Sequence, residues 1–407
     1  MNLLIFEYVS GGGYANQKLS ANILSEGYGM LRSLISDCKA AGHNVTTLLD
    51  SRLKAFNPPT EADKIVSISY PNQADEKLTE LSGAANAVYV IAPESGQVLE
   101  KLVENIEASG GTSLNCEAEA IKRVSNKMTA YETIKKRGLK VPETVLVDIH
   151  EKTENIKRLT KELGYPLVVK PLDGVSCGGL SVIKDEGEIA GAVKKVARES
   201  MSEQFIAQEL IRGKAASACV ISIGDKAVAV TLNRQLVSLA SPDKESGYYG
   251  GAAPFDHSLE KEALNAAERA VEGIEGLKGY VGVDMILTEE EPILLEVNPR
   301  LTTSYVGLRR IVNFNPAEAI VDATIGRKLP KNVQSRCYSF FSKVEVPPSP
   351  QIITETYKLK DVVSPPFPIE GNKSAYALIA TVSASPKGAE LAFYRAKKRL
   401  LKLYGDN

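Results

Sequence analysis

The sequence predicts an α/β unit, then a larger α+β unit, then a small α+β segment. Three observations carry this reading. Apolar runs alternate with helical stretches through residues 1–114, the pattern of a parallel sheet with helices on its faces. The run FIAQELIRGKAASACVISIGDKAVAVTLNRQL, residues 205–236, reads as a set of antiparallel strands within a unit spanning 115–330. The composition then changes near Pro330, where VEVPPSPQ, VVSPPFPIEG and a closing basic helix make up residues 331–407, a smaller appendage.

In the first unit LLIFEYV is a strand and SGGGYANQKLS a glycine-opened loop. Residues 26–41 read as a helix ended by Gly42. NVTTLLD, KIVSISY and AVYVIAP are further strands, and VLEKLVENIEAS is another helix. Ligand loops on such a sheet lie past the carboxyl ends of its strands, here residues 7–13 and 92–96. The SGGG loop lacks the GxGxxG spacing of a dinucleotide site, so it fits a mobile substrate loop or a plain turn.

In the second unit EAEAIKRVSNKMTAYETIKKRG reads as one helix ending at Gly138. VPETVLV is a strand, and NIKRLTKELG a helix stopped by Gly164. YPLVVKPLDGVSCGGLSVIK reads as a hairpin with a glycine-rich tip, and residues 259–274 as a helix. The final helix, AELAFYRAKKRLLKLYG, fits an acidic partner, an oligomer contact or a solvated face.

Composition excludes several classes. The 407 residues suffice for two or three domains, and 43% hydrophobic with 24% charged residues is ordinary for a globular chain. Lys plus Arg (49) against Asp plus Glu (50) leaves a net charge of −1, with no basic excess for a nucleic-acid partner. No apolar run approaches the ~20 residues that cross a bilayer. MNLLIFEYVSGGG lacks a basic leader and reads as a first strand, so no signal peptide is expected. The five cysteines are scattered without CxxC spacing, and the three histidines lack metal-ligand spacing; a reducing cytoplasm is the expected setting.

The chemistry concentrates in ILLEVNPRLTTS, residues 293–304. Asp284 ends the run GYVGVD twelve residues before Glu296 (296 − 284 = 12), with a turn through Glu289, Glu290, Glu291 and Pro292 between them. Alternation on a strand points Glu296 and Asn298 to one side. Two carboxylates and an amide oxygen on paired strands form a hard, all-oxygen set that suits a magnesium ion completed by phosphate oxygens. Acidic residues inside an apolar strand also need a partner, though an ordinary surface hairpin is the plainer alternative. Arg300, at the next even step, offers a fork of donors for phosphate or carboxylate.

Other residues accompany this hairpin. Lys127 lies in the helical SNKMTAYE and fits a solvent-facing lysine as well as a functional one. Lys170 ends the buried-strand pattern PLVVK, and Gly174, Gly178 and Gly179 follow it, leaving backbone N–H groups open to an anion. Glu209 sits in QELIRG after an apolar strand. Arg234, in TLNRQL, fits a second phosphate or carboxylate cation, or a surface residue.

In this order the set resembles the ATP-grasp superfamily, most specifically in LLEVNPR, VVKPLDG and QELIRG, across residues 1–330. The resemblance implies a Rossmann-like pre-ATP-grasp domain and two lobes that clamp ATP. It implies phosphate binding by Lys127, Lys170 and the Gly178–Gly179 loop. It places adenine against the hinge of Gln208, Glu209, Leu210 and Ile211. It also implies Mg²⁺ or Mn²⁺ held by Asp284, Glu296 and Asn298. Many members carry a ribose-binding acid two residues after the hinge glycine; here Gly213 is followed by Lys214 and Ala215. The implied chemistry is carboxylate activation through an acylphosphate, with Arg300 and Arg234 as the catalytic cations. A nucleotide sensor on the same fold is the alternative that the complete acidic set disfavours.

The runs FEYVSGG, EGYGM, IAPE, LNRQ, EVNPRLTTSYVGL and PPFPI further resemble the archaeal tyramine–glutamate ligases of methanofuran biosynthesis. That likeness implies small-molecule substrates, an amino acid and an amine. It makes Glu7, Tyr14, Glu26 and Glu94 candidates for the acceptor pocket. Glu94 fits equally a helix N-terminal cap after Pro93. A homodimer through the proline-rich tail is one expected assembly, and other amide-forming amine or dipeptide ligases are alternatives.

Overall fold

The computed structural model describes residues 1–174, 177–200 and 202–405. Its first unit is β1 (Asn2–Glu7), α1 (Ala21–Ala40), β2 (Asn44–Asp50), α2 (Ser51–Lys54), β3 (Lys64–Ile68), α3 (Gln73–Ser82), β4 (Ala87–Ile91) and α4 (Val98–Ala108). The four strands form one parallel sheet in the order β3-β2-β1-β4. β1 and β4 are apolar on both sides because helices cover both faces, so neither shows alternation. α1 starts five residues earlier than the expected residue 26, after Ser20 in extended conformation. Glu26 therefore sits in its second turn and is buried.

The next stretch holds α5 (Ala118–Ser125), α6 (Lys127–Lys136), β5 (Thr144–Asp148), α7 (Thr153–Thr160), β6 (Leu167–Pro171), β7 (Ser181–Ile183), α8 (Ile189–Glu199) and β8 (Gln204–Glu209). The single helix expected over 117–138 is two. Asn126 takes an extended backbone, and its side chain accepts hydrogen bonds from the Met128 and Thr129 N–H groups. It thus caps a new helix, and Lys127 becomes the first residue of α6. β5, β8, β6 and β7 form an antiparallel four-stranded sheet covered by α7 and α8.

The remainder is β9 (Lys214–Ile223), β10 (Ala227–Ser238), β11 (Gly247–Ala253), α9 (Glu260–Glu272), β12 (Lys278–Leu287), β13 (Pro292–Asn298), α10 (Tyr305–Leu308), α11 (Pro316–Thr324), β14 (Tyr338–Val346), α12 (Ile353–Thr356), β15 (Val362–Ser364), β16 (Ala375–Ser383) and α13 (Pro386–Leu403). Its eight strands form one antiparallel sheet in the order β13-β12-β9-β10-β11-β14-β16-β15. The segment 331–407, expected as an appendage, therefore continues the central sheet. β14 pairs with β11 through Gly250–Ser342 to Ala253–Ser339. The reason is steric as well as apolar. Gly250 and Gly251 leave no side chain between the strands; a Cβ at Gly250 would lie 2.1 Å from the Phe341 carbonyl oxygen.

Glu209 ends a strand of the small sheet and Lys214 begins one of the large sheet, so residues 210–213 are the link between lobes. A second link is the arm between β10 and β11. There the Val182 N–H donates to the Ala240 carbonyl (2.8 Å), and buried Lys195 donates to the carbonyls of Leu180 and Lys244.

Candidate active site

The acidic hairpin forms with Asp284 directly across from Glu296 and Gly282 across from Asn298. Opposed residues on antiparallel strands share a face, so the two carboxylates meet. β12 does not stop at Asp284 but runs on to Leu287, past a bulge between Asp284 and Met285. Asn298 donates from Nδ2 to Asp284 Oδ2 (3.2 Å), and Gln235 donates from Nε2 to Oδ1 (3.0 Å). Burial, then the negative charge of Glu296, pushes the Asp284 carboxyl up to about 7. Burial would also raise Glu296, but Lys127 and Lys170 outweigh it and hold that carboxyl below its ordinary value.

Lys127 makes the contact that its place at the helix start permits. Its Nζ lies 2.9 Å from Glu296 Oε1 and donates to the Gly174 carbonyl at 2.7 Å. Lys170 is 8% exposed on β6, opposite Ile206. Burial lowers its ammonium to about 8, opposed by Glu296 and assisted by Lys127. Gly174, Gly178 and Gly179 fold back on the strand. Gly179 has φ +71°, and a Cβ there would lie 2.6 Å from Pro171 Cγ. Val175 and Ser176, in the same expected loop, lie outside the described residues. Cys177, in that loop, has its thiol raised to about 11 by burial and then by Glu296, Asp284 and Glu26.

Gln208 and Glu209 close β8, and Leu210 and Ile211 begin the link between the lobes. Gln208 is buried and donates to Thr144 Oγ1 (2.8 Å), while Glu209 Oε1 accepts from the Glu143 N–H (2.9 Å). Glu209 thus fastens the strand end, and Leu210 and Ile211 leave it half-buried. A small cleft beside them is lined by Lys127, Ala130, Tyr131, Gln208, Leu294 and Glu296.

Arg300 is placed by an ion pair across the domain boundary: its Nε lies 2.9 Å from Glu94 Oε2. Burial opposes its charge, but Glu94, Glu296 and Asp284 together outweigh burial and raise the guanidinium further. Glu94 is therefore not a cap, for its side chain accepts no backbone N–H of the short turn after it. Its Oε1 is buried without a partner among the described residues. Glu7 is also buried, but its carboxylate accepts from the Val9 N–H, the Ser10 N–H and the Ser10 hydroxyl (3.0, 2.7 and 2.6 Å). It shapes the loop after β1. Tyr14 packs edge-on against Tyr8 beside it, ring centroids 5.1 Å apart. Glu26 pairs with Lys343 at 2.5 Å and accepts from Thr303 Oγ1 at 2.8 Å.

Arg234 is the exception. Asp284 faces Ser217, which faces Asn233; Arg234 pairs with Ala216, which faces Met285. It lies on the other side of the sheet and is exposed, so the structure does not bring it to the carboxylates. Its neighbour Gln235 is the residue that reaches Asp284. Gln235, Tyr248 and Lys343 are absent from the sequence-derived set. A lysine inside the apolar strand YSFFSKVEV was the available signal for the last.

A parallel α/β unit, a small antiparallel lobe and a large lobe bearing paired carboxylates, with buried lysines between the lobes, define a nucleotide-clamping ligase. A family model described as an ATP-grasp domain matches residues 124–304, and one described as a pre ATP-grasp 3 domain matches 43–121. The tyramine–L-glutamate ligase of Methanocaldococcus jannaschii is 31% identical over 324 residues, 78% of this chain and 88% of that protein. The corresponding ligase of Methanocaldococcus fervens is 32% identical over 309 residues, 75% and 89% of the two chains. The chain belongs to the ATP-grasp family of ATP-dependent carboxylate–amine ligases. The fold alone is shared with biotin carboxylase of Campylobacter jejuni, solved with β-γ-ATP: TM-score 0.71, 16% identity, covering 97% of this chain and 90% of that one. Among the described residues no helix is long and apolar enough to cross a membrane.

Proposed function

We propose that this ligase joins the γ-carboxylate of L-glutamate to the amine of tyramine, releasing ADP and phosphate, a step of methanofuran biosynthesis in the cytoplasm. The observation that carries the reading is the identity to two tyramine–L-glutamate ligases across most of both chains. The site supports it by its charges. Among the described residues no three His, Cys, Asp or Glu side chains cluster as a metal cage. The donor set is instead Asp284, Glu296 and the Asn298 amide oxygen; burial and the facing charge of Glu296 raise the Asp284 carboxyl to about 7, a repulsion that a divalent ion would offset. This set fits Mg²⁺ or Mn²⁺ shared with phosphate oxygens. Such an ion, when bound, neutralises charge on the transferring phosphoryl group.

The chain's own residues do the rest. The adenine enters the cleft beside Gln208 and the 209–211 hinge. Lys127 exchanges Glu296 for phosphate oxygens, and Lys170 adds a second ammonium. The glutamate carboxylate oxygen attacks the γ-phosphorus, the bond to the β-phosphate oxygen breaks, and ADP leaves. Arg300 steadies the acylphosphate oxygens. The amine then attacks the acyl carbon, phosphate leaves, and the amine gives up a proton. Glu94 Oε1, buried and without a partner among the described residues, supplies an acceptor for that amine.

The test is ADP release by the purified enzyme with Mg-ATP and L-glutamate, with and without tyramine, and a product mass. Tyramine-dependent release with a glutamyl-tyramine mass is expected. Release with other amines but not tyramine would keep the ligase and discard the tyramine assignment.

A further inference from the structure

Asp284, Ser217 and Asn233 share a row across β12, β9 and β10. Gln235, two residues past Asn233, is on the same face and pairs with Gly251, which pairs with Phe341 of β14. Lys343, two residues past Phe341, therefore rises from the face that carries the two acidic residues. A bulge brings Tyr248 there too. Leu236 pairs with Gly250 but Val237 with Tyr248, so Tyr249 is the extra residue, and it is 50% exposed. Lys343 Nζ lies 5.7 Å from the Tyr248 ring centroid. Helix α1 lays Glu26 against this face.

The Glu26–Lys343 pair is almost closed to water, with side chains 7% and 4% exposed. Taking two charges out of water costs more than a well-packed apolar pair of similar volume, so stability alone does not account for it. Lys343 has three N–H donors, and Glu26 is its one acceptor among the described residues. Two donors remain. Glu26 accepts from Lys343 on one oxygen and Thr303 on the other, leaving lone pairs on both. Cys177 stands in the field of Glu296 and Asp284 and also of Glu26 and Lys343.

We infer that Glu26 and Lys343 form the subsite for the α-ammonium and α-carboxylate of a zwitterionic amino acid, whose side-chain carboxylate is thereby the one phosphorylated. The inference rests on the ligase reading above. It explains regiochemistry: an amino acid held by both α-groups presents only its distal carboxylate to the Asp284–Glu296 end of the face. It also makes the segment beyond residue 330 part of the site.

The test compares L-glutamate with glutarate, which lacks the α-ammonium, and 4-aminobutyrate, which lacks the α-carboxylate, using wild-type enzyme, Mg-ATP and tyramine. Each analogue is expected to lose at least about 100-fold in kcat/KM, since a site built to pair a polar group rejects the molecule lacking it. Lys343→Met is expected to shrink the glutamate preference over 4-aminobutyrate to within about 5-fold, and Glu26→Gln the preference over glutarate, with the KM for ATP unchanged. Wild-type enzyme that accepts either analogue within about 5-fold of glutamate would overturn the inference, and needs no variant to fold. So would Lys343→Met enzyme that keeps the full preference. If another amino acid is the substrate, the same comparison with its truncated analogues supports the subsite while the glutamate assignment falls. Turnover only of carboxylates without an α-amino group overturns the subsite.

Discussion

Replacing Lys170 by Met should make the nucleotide-free enzyme more stable and a poorer user of ATP. Met keeps the apolar stem within β6 and deletes the buried ammonium. The lysine has a pKa of about 8 when folded against 10.5 ordinarily, a gap of 10.5 − 8 = 2.5. At about 1.4 kcal/mol for each pKa unit, the proton it holds at pH 7 costs about 3 kcal/mol of folding free energy. Because the folded pKa lies below the unfolded one, this cost is full below about pH 8 and is relieved as pH rises toward 10.5. The assay is urea unfolding of both proteins at pH 7 and pH 10, without nucleotide. The variant should be the more stable at pH 7, and the difference should shrink at pH 10. In kinetics the lost charge-assisted hydrogen bond to phosphate, about 1.5–3 kcal/mol, raises the KM for ATP about 10- to 150-fold. A variant less stable than wild type at pH 7, or one with unchanged ATP kinetics, would refute the reasoning.

Glu296→Ala should cut kcat at least about 10³-fold while far-UV circular dichroism stays unchanged, since it removes one of two facing carboxylates and the partner of Lys127. Arg234→Ala should keep kcat within about 2-fold, because surface substitutions away from a site usually cost under about 0.5 kcal/mol; steady-state rates check this. Gly27→Ala should lower Tm by several degrees or prevent folding, because its Cβ would lie 2.6 Å from the Glu7 carboxylate. Gly83→Ala, with nothing within 4 Å and φ −68°, is the scanning-calorimetry control that should lower Tm little.

What could be read in the chain was what is local. Apolar runs alternating with helical stretches announced the parallel unit, and the spacing from Asp284 to Glu296 announced the hairpin that joins them. The misreadings all involve partners distant in sequence or a single residue's backbone. Asn126 looked like one more helical residue because its break appears only in its extended ψ and its capping bonds. Arg234 looked suitable because nothing local tells which face of β10 it takes; its pairing with Ala216 decides that. Lys343 joins Glu26 across a sequence separation of 317 residues, through a pairing of β14 with β11 that no short motif announces. The Glu94 alternatives were separated only by Arg300, 206 residues on.

The late arrival of β14, β15 and β16 in the central sheet has a consequence for synthesis. When β11 leaves the ribosome, the neighbour that covers its outer edge has not been made. That edge carries exposed backbone donors and acceptors, the template on which two nascent chains could pair. At 5–20 residues per second the 93 residues from Ala253, the end of β11, to Val346, the end of β14 (346 − 253 = 93), take roughly 5–19 s to follow. Late in that interval the nascent protein has both acidic residues of the hairpin but lacks Lys343, so it is incomplete at one end of its site and adhesive at one edge of its sheet. Synthesis of β14 closes both at once.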